Sequence, residues 1–165
     1  MVPSAAMSVH VRAATKADSQ AFVSLVRKLA EYEKLEPPSP DAEQRLLRDA
    51  FGERPRIDVL IAELDGRPVA YAIFFETYSS FLAQPTLYLE DLFVRPEARG
   101  RGIGKEMMRH LAGTALDLGC GRFVWQVLDW NTPSIEFYES LGGQVVREWL
   151  TCRVDGDALQ ALAGR

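Results

Sequence analysis

Apolar positions early in the chain recur at helical spacing. Phe22, Leu25, Val26 and Leu29 share one face, and Thr15 with Asp18 three residues on makes a candidate cap, so the spacing predicts a helix reaching about Tyr32. Glu36-Pro37-Pro38-Ser39-Pro40 reads as a loop. Ser39 followed by Pro40 then signals a second helix, with Leu46, Leu47, Ala50 and Phe51 as its apolar face and Gly52 as its stop.

The period then changes from about four to two. Residues 57–64 and 67–75 read as strands joined by Asp65-Gly66, a strong hairpin signal. In 86–94, strict alternation puts Leu87, Leu89 and Phe93 on one side and Tyr88, Leu92 and Val94 on the other, which predicts a central strand covered on both faces. Helical spacing returns with Ile103, Met107, Leu111 and Ala115, ending near Gly119. Residues 122–128 read as a strand, Thr132-Pro133 opens a short helix closed by Gly142-Gly143, and 144–153 reads as a last strand. A hairpin followed by strand, helix, strand, helix and strand predicts a mixed sheet flanked by helices, an α+β fold with α/β-like character.

Composition narrows the classes. With 165 residues, 47% hydrophobic and 25% charged, the expectation is one globular domain over 1–165 with a core of its own. A net charge of −4 argues against nucleic acid as a partner. Cys120 and Cys152 are too few for a disulfide framework, and their spacing suggests no metal site. Residues 1–12 lack the apolar run of a secretory leader, and no stretch approaches a membrane span, so a cytoplasmic protein without a membrane partner is expected.

One segment departs from the acidic average. Between Arg95 and Arg109 five cations face two acids, a local net of +3 that leaves −7 for the rest. Within it, Arg99-Gly100-Arg101-Gly102-Ile103-Gly104-Lys105 links a buried strand to a helix, where glycines turn the backbone and amide N–H groups gather at the helix's positive end. The spacing fits neither a Walker A loop nor the dinucleotide fingerprint, because Gly100 and Gly104 enclose three residues and Glu106 replaces the magnesium-binding hydroxyl. A cationic patch around exposed amides favours a diphosphate.

These residues resemble the acetyl-CoA loop of the GNAT N-acetyltransferases. Leu29-Ala30-Glu31-Tyr32-Glu33, Phe51-Gly52-Glu53, the run from Tyr88 to Val94, Trp130-Asn131 and Ser134-Ile135-Glu136-Phe137-Tyr138 extend the resemblance over about residues 9–160, to the spermidine/spermine (diamine) and thialysine acetyltransferase group. The implied activity is transfer of acetyl from acetyl-CoA, without a metal, to a primary amine of a small cationic substrate. A protein lysine or N-terminal acceptor and a noncatalytic acyl-CoA sensor stand as alternatives.

The resemblance also implies site residues. An alkylammonium, with pKa about 10.4, must lose a proton before it attacks, and Glu90 is the matching base. Glu90 adjoins Asp91, and alternation is expected to send the two carboxylates to opposite faces. Tyr138 matches the general acid toward the CoA sulfur. Leu92, Phe93 and Val94 match a splayed strand that receives pantetheine, and the whole loop Arg99 to Lys105 together with Asn131, Thr132, Pro133 and Ser134 matches the CoA contacts. Tyr32, Glu33, Glu90, Val124, Trp125 and Gln126 match acceptor-contacting positions, although packing is the ordinary role for a tryptophan such as Trp125. The polyamine enzymes carry an acid and a tryptophan after Thr77-Tyr78, where this chain has Ser79-Ser80-Phe81. A homodimer is expected from the resemblance.

Overall fold

Val9 and Val11 alternate with His10 and Arg12, a period-two signal too short to register in the sequence. In the computed structural model of the protein this stretch is β1, Val9–Ala13, which pairs antiparallel with β2, Asp58–Leu64. The structure describes residues 8–165, so the leader-free reading of residues 1–7 lies outside the described residues. The chain divides into two compact units, Met1–Gln126 and Val127–Arg165.

In the first unit, α1, Ser19–Glu33, follows a capping turn in which the Thr15 amide donates to the Asp18 carboxylate at 2.7 Å. Arg12 clamps the same carboxylate through two bonds of 2.8 Å and reaches Glu63 on β2, which ties the edge strand to the start of the helix. The Arg12 bonds hold the Asp18 carboxyl well below the usual carboxylate range. Then α2, Pro40–Phe51, begins at Ser39, whose hydroxyl accepts from the Ala42 amide, and Gly52 ends it.

β2 turns into β3, Arg67–Ser79, through Asp65 and Gly66 at φ 51° and 75°, the left-handed pair that a two-residue hairpin requires. β4, Gln84–Val94, pairs antiparallel with β3, and α3, Ile103–Asp117, carries the chain over to β5, Arg122–Trp125, which is parallel to β4. The sheet order is β1-β2-β3-β4-β5, the mixed sheet that the sequence predicts. On one face Val59, Ile61, Tyr71, Ile73 and Phe93 meet Phe22 and Leu25 of α1, with Phe51 of α2 beside them. Phe22 stacks edge-on against Tyr71 at 5.4 Å and against Phe51 at 5.9 Å. The opposite face presents Leu60, Ala62, Ala70, Ala72, Phe74, Leu87 and Leu89, and α3 covers it with Ile103, Met107, Leu111 and Ala115.

The central strand departs from strict alternation. Ile73 pairs with Asp91 but Phe74 pairs with Leu89, so Glu90 is an extra residue in a β-bulge. The inserted residue inverts the parity of everything after it. Tyr88, opposite Phe75, and Asp91, opposite Ile73, therefore share the α1 face although they are three positions apart. The expected grouping of Phe93 with Leu87 and Leu89 fails for this reason: Phe93 joins the α1 face, and Leu92 joins the α3 face.

In the second unit, α4, Thr132–Ser140, starts at Asn131, whose side-chain oxygen accepts from the Ser134 amide. The strand expected over 144–153 does not form. Val145, Val146, Trp149 and Leu150 are exposed in a segment without regular structure, and a short helix, α5, Gly156–Leu162, follows it. Apolar residues at 145, 146, 149 and 150 do not alternate, so extended backbone offers them no single face to bury.

Candidate active site

Glycine backbone geometry shapes the loop before α3. Gly100 and Gly102 have φ of 74° and 78°, and a Cβ at either would meet nothing within 4 Å, so these glycines are required by conformation and not by space. Gly102 is the N-cap residue and offers no side chain, which leaves the first amides of α3 to an incoming acceptor. Arg101 and Lys105 are exposed beside them, Ile103 is buried as the anchor, and Gly104 lies in the first turn. Such a terminus suits an anion of more than one charge. Gly102→Val places a β-branched residue in the left-handed region at a cost of about 1–2 kcal/mol, expected as a lower urea midpoint of unfolding.

The strand that leads into the loop has an open edge. Pairing with β5 stops at Leu89 opposite Trp125, while β4 runs on to Val94 with β3 alone. The Arg95 amide donates to Val69 O at 2.9 Å, so ladder alternation turns the backbone of Phe93 toward β3 and that of Leu92 and Val94 to the edge β5 has left. Of the three residues expected to receive pantetheine, Leu92 and Val94 turn their backbone to the edge that β5 has left, and Phe93 contributes a buried ring. Val94 O accepts from Arg99 Nε at 3.0 Å, and the Arg99 guanidinium lies 4.8 Å over the Tyr32 ring and 5.9 Å from that of Phe93. Tyr32 is thereby tied to the glycine loop.

The bulge decides the placement of the carboxylates. Glu90 is exposed and Asp91 is largely buried, and both lie on the α1 face with Tyr88, because the inserted residue cancels the alternation expected to separate them. Asp91 accepts from Tyr71 Oη at 3.0 Å. Burial pushes the Asp91 carboxyl up to about 6; the Tyr71 bond opposes that rise, and the nearby charges of Glu90 and Glu33 add to it. Burial also raises Glu33 above its ordinary value. Neither the bulge nor the Asp91–Tyr71 pair was evident in the sequence beyond the oddity of two acids in an apolar strand.

The Asp91 shift carries a stability consequence. Folded Asp91 holds its proton more tightly than the unfolded chain, so its contribution is fully present below about pH 4 and is lost as pH rises through about 6. The shift from 3.8 to about 6 corresponds to roughly 3 kcal/mol. Asp91→Asn keeps an acceptor for Tyr71 and is expected to abolish that fall, making the variant more stable than the parent at pH 7 but not at pH 4. Urea midpoints across this range check it.

Among the other acceptor positions, β5 separates its residues by face. Val124, opposite Tyr88, lies on the Glu90 face. Trp125, opposite Leu89, lies on the α3 face with its ring 4.9 Å from that of Phe123, a packing role. Gln126 is exposed just beyond the strand.

The second unit holds the remaining candidates on one helix. Asn131 is buried at 8% exposure and caps α4, Thr132 and Pro133 are exposed in its first turn, and the Ser134 amide is engaged by Asn131. Tyr138 stands further along α4, 5.2 Å from the Phe137 ring, and burial pushes its phenol up to about 12, so it keeps its proton through the physiological range. Burial likewise raises the Cys120 thiol, the wrong direction for a nucleophile. Among the described residues no group of three or more His, Cys, Asp or Glu side chains is placed to hold a metal, and no helix is long and apolar enough to cross a membrane.

The acetyltransferase (GNAT) family model matches residues 23–143. The chain belongs to the GNAT family. It is 38% identical over 169 aligned residues to a thialysine N-epsilon-acetyltransferase of Sus scrofa, covering 96% of this chain and 99% of that one. An L-ornithine N5-acetyltransferase of Arabidopsis thaliana is 48% identical over 92 residues, 56% of this chain and 40% of that one. Among solved structures, an integron cassette protein from the mobile metagenome of V. cholerae superposes with a TM-score of 0.82 at 28% identity, covering 97% of this chain and all of that one. The protein is a GNAT N-acetyltransferase, and the five-stranded sheet with its flanking helices is the GNAT fold. Within this GNAT frame, the bulge at Glu90 and the open edge from Leu92 to Val94 are adjacent features of one strand.

Proposed function

We propose that this GNAT enzyme moves acetyl from acetyl-CoA directly to the primary amine of a small cationic substrate, a polyamine, a diamine or a lysine-like amine. The observation that carries the reading is the bulge, which leaves Glu90 as the exposed extra residue of the strand that leads on to the glycine loop before α3. The diphosphate of CoA would sit on the amides before α3 between Arg101 and Lys105, and pantetheine would pair with Leu92 and Val94. Asn131, Thr132, Pro133 and Ser134 are further CoA contacts in this reading. Tyr32, Glu33, Val124 and Gln126 would line the acceptor's path.

Glu90 takes the ammonium proton, directly or through one water, and frees the nitrogen lone pair. Nitrogen attacks the thioester carbonyl, whose oxygen is stabilised by the edge N–H of Leu92 or Val94. As the C–S bond breaks, Tyr138 donates to the developing thiolate, and the proton released by nitrogen restores the balance as thiol leaves. Similarity to enzymes named for thialysine and L-ornithine supports a lysine-like amine. A single catalytic domain acting as a cytoplasmic homodimer belongs to the same reading.

The test is thiol release from acetyl-CoA across polyamines, diamines, lysine analogues and amino-sugars. Release with small amines is expected. Tight CoA binding by calorimetry with no release from any amine overturns the reading in favour of an acyl-CoA-binding module.

A further inference from the structure

Arg99 stands immediately before the left-handed Gly100, and its side chain turns back toward the strand it follows. The Nε–H donates to Val94 O at 3.0 Å, a bond that spans the short turn Pro96–Ala98 and fastens the entry of the glycine loop to the end of β4. Val94 is one of the two residues whose backbone faces the edge that β5 has left, so Arg99 sits where that edge meets the loop. The guanidinium is covered from the α1 side: its centre lies 4.8 Å over the Tyr32 ring and 5.9 Å from the Phe93 ring. Tyr32 is the penultimate residue of α1. It is 36% exposed and lines a cavity of about 430 Å³ with Lys28, Glu31, Phe93 and Arg95, so the ring has open space on one flank and the guanidinium on another.

We infer that Tyr32 is a positioning residue for acetyl-CoA: by holding the Arg99 guanidinium it fixes the Val94 backbone and the entry of the glycine loop, although it belongs to the helix on the acceptor side. The inference rests on the acetyl-CoA reading above and adds to it a contribution from α1. An arginine stem has many rotamers, and the single bond from its Nε–H persists only while that stem is ordered. An aromatic face attracts a guanidinium through the ring's quadrupole and leaves the N–H groups at the guanidinium edge able to donate. The Tyr32 stack therefore orders Arg99 without consuming the donor that Val94 O uses. This matters for a long ligand. The strand edge and the amides before α3 must hold two parts of one CoA at the same time, and the Arg99–Val94 bond links them. If the loop moved relative to the strand, binding would have to order it first, at a cost in affinity.

The test is CoA affinity by calorimetry on the full chain with no amine present, so that any direct role of Tyr32 toward the acceptor is left out. Tyr32→Leu keeps apolar bulk and removes the aromatic face, and it is expected to raise the Kd for CoA about 2–5-fold, the worth of a solvent-accessible cation–π contact. Tyr32→Phe keeps the face and should bind CoA close to the parent value. Arg99→Ala loses the stack and the Val94 bond together and should raise Kd by at least about tenfold, and in that background Tyr32→Leu should add nothing. A Leu variant with the parent's Kd, a Phe variant as weak as the Leu variant, or a Leu effect of equal size with and without Arg99 overturns the inference. So does a urea midpoint for Tyr32→Leu that falls below that of Tyr32→Phe in step with the loss of affinity, the mark of a merely structural role. A parent protein that does not bind CoA sinks the acetyl-CoA reading itself, which keeps the two failures distinguishable.

Discussion

Tyr138→Phe is expected to lower kcat by about 10²–10⁴-fold with every accepted amine, the range for loss of one proton-transferring group. The substitution keeps the ring and its contact with Phe137 and removes only the hydroxyl, so the fold and KM for acetyl-CoA should change little. Burial sets the sign of the effect. A phenol pushed up to about 12 is fully protonated at neutral pH and can donate to the sulfur as negative charge develops there. Its titration should therefore be absent from the parent's kcat profile between pH 6 and 9. A Phe variant with kcat within a fewfold of the parent would remove Tyr138 from the chemistry and leave it a packing residue of α4.

Glu90→Gln is expected to cost a similar factor at neutral pH, again about 10²–10⁴-fold in kcat. This loss should depend on pH in a way that the Tyr138 loss does not. The acceptor's amine has a pKa of about 10.4, so bulk water deprotonates more of it as pH rises, and the gap between variant and parent should narrow toward pH 10. The variant carries a second signature. The Glu90 charge is among the groups that hold the Asp91 carboxyl high, so removing it should lower the Asp91 titration from about 6. A constant ratio of variant to parent across pH, or no loss at pH 7, would exclude Glu90 as the base.

Much of the framework was legible along the chain. Ser39-Pro40, Asp65-Gly66, Gly102 and Gly119 marked the beginnings and ends of elements because each requirement is local: a hydroxyl for an amide, or a glycine for a left-handed φ. The hydrophobic periods placed α1, α2, α3 and the hairpin for the same reason. β1 leaves no legible signal because a strand of five residues carries too few positions for a period to emerge, and its partner lies about 50 residues away. The strand expected over 144–153 does not form, because β-forming composition without an alternating apolar face gives a strand nothing to bury.

The candidate site divides along the same line. The sequence by itself determined the anion loop, because glycines, cations and a following helix are contiguous from Arg99 to Lys105. It also supplied Glu90 and Tyr138 as candidates through motif resemblance. Only the tertiary structure decided the place of Glu90 on the sheet. The bulge at Glu90 exists as a mismatch of register between β3 and β4, a relation between two strands that alternation within one strand cannot reveal. It put Asp91 with Glu90 on one face, while the β5 register set Trp125 on the other. The pairing of Arg122 with Thr86 likewise sets residues 36 positions apart side by side. Local chemistry is written in neighbouring residues, whereas which side chains share a cavity depends on strand pairing across the sheet.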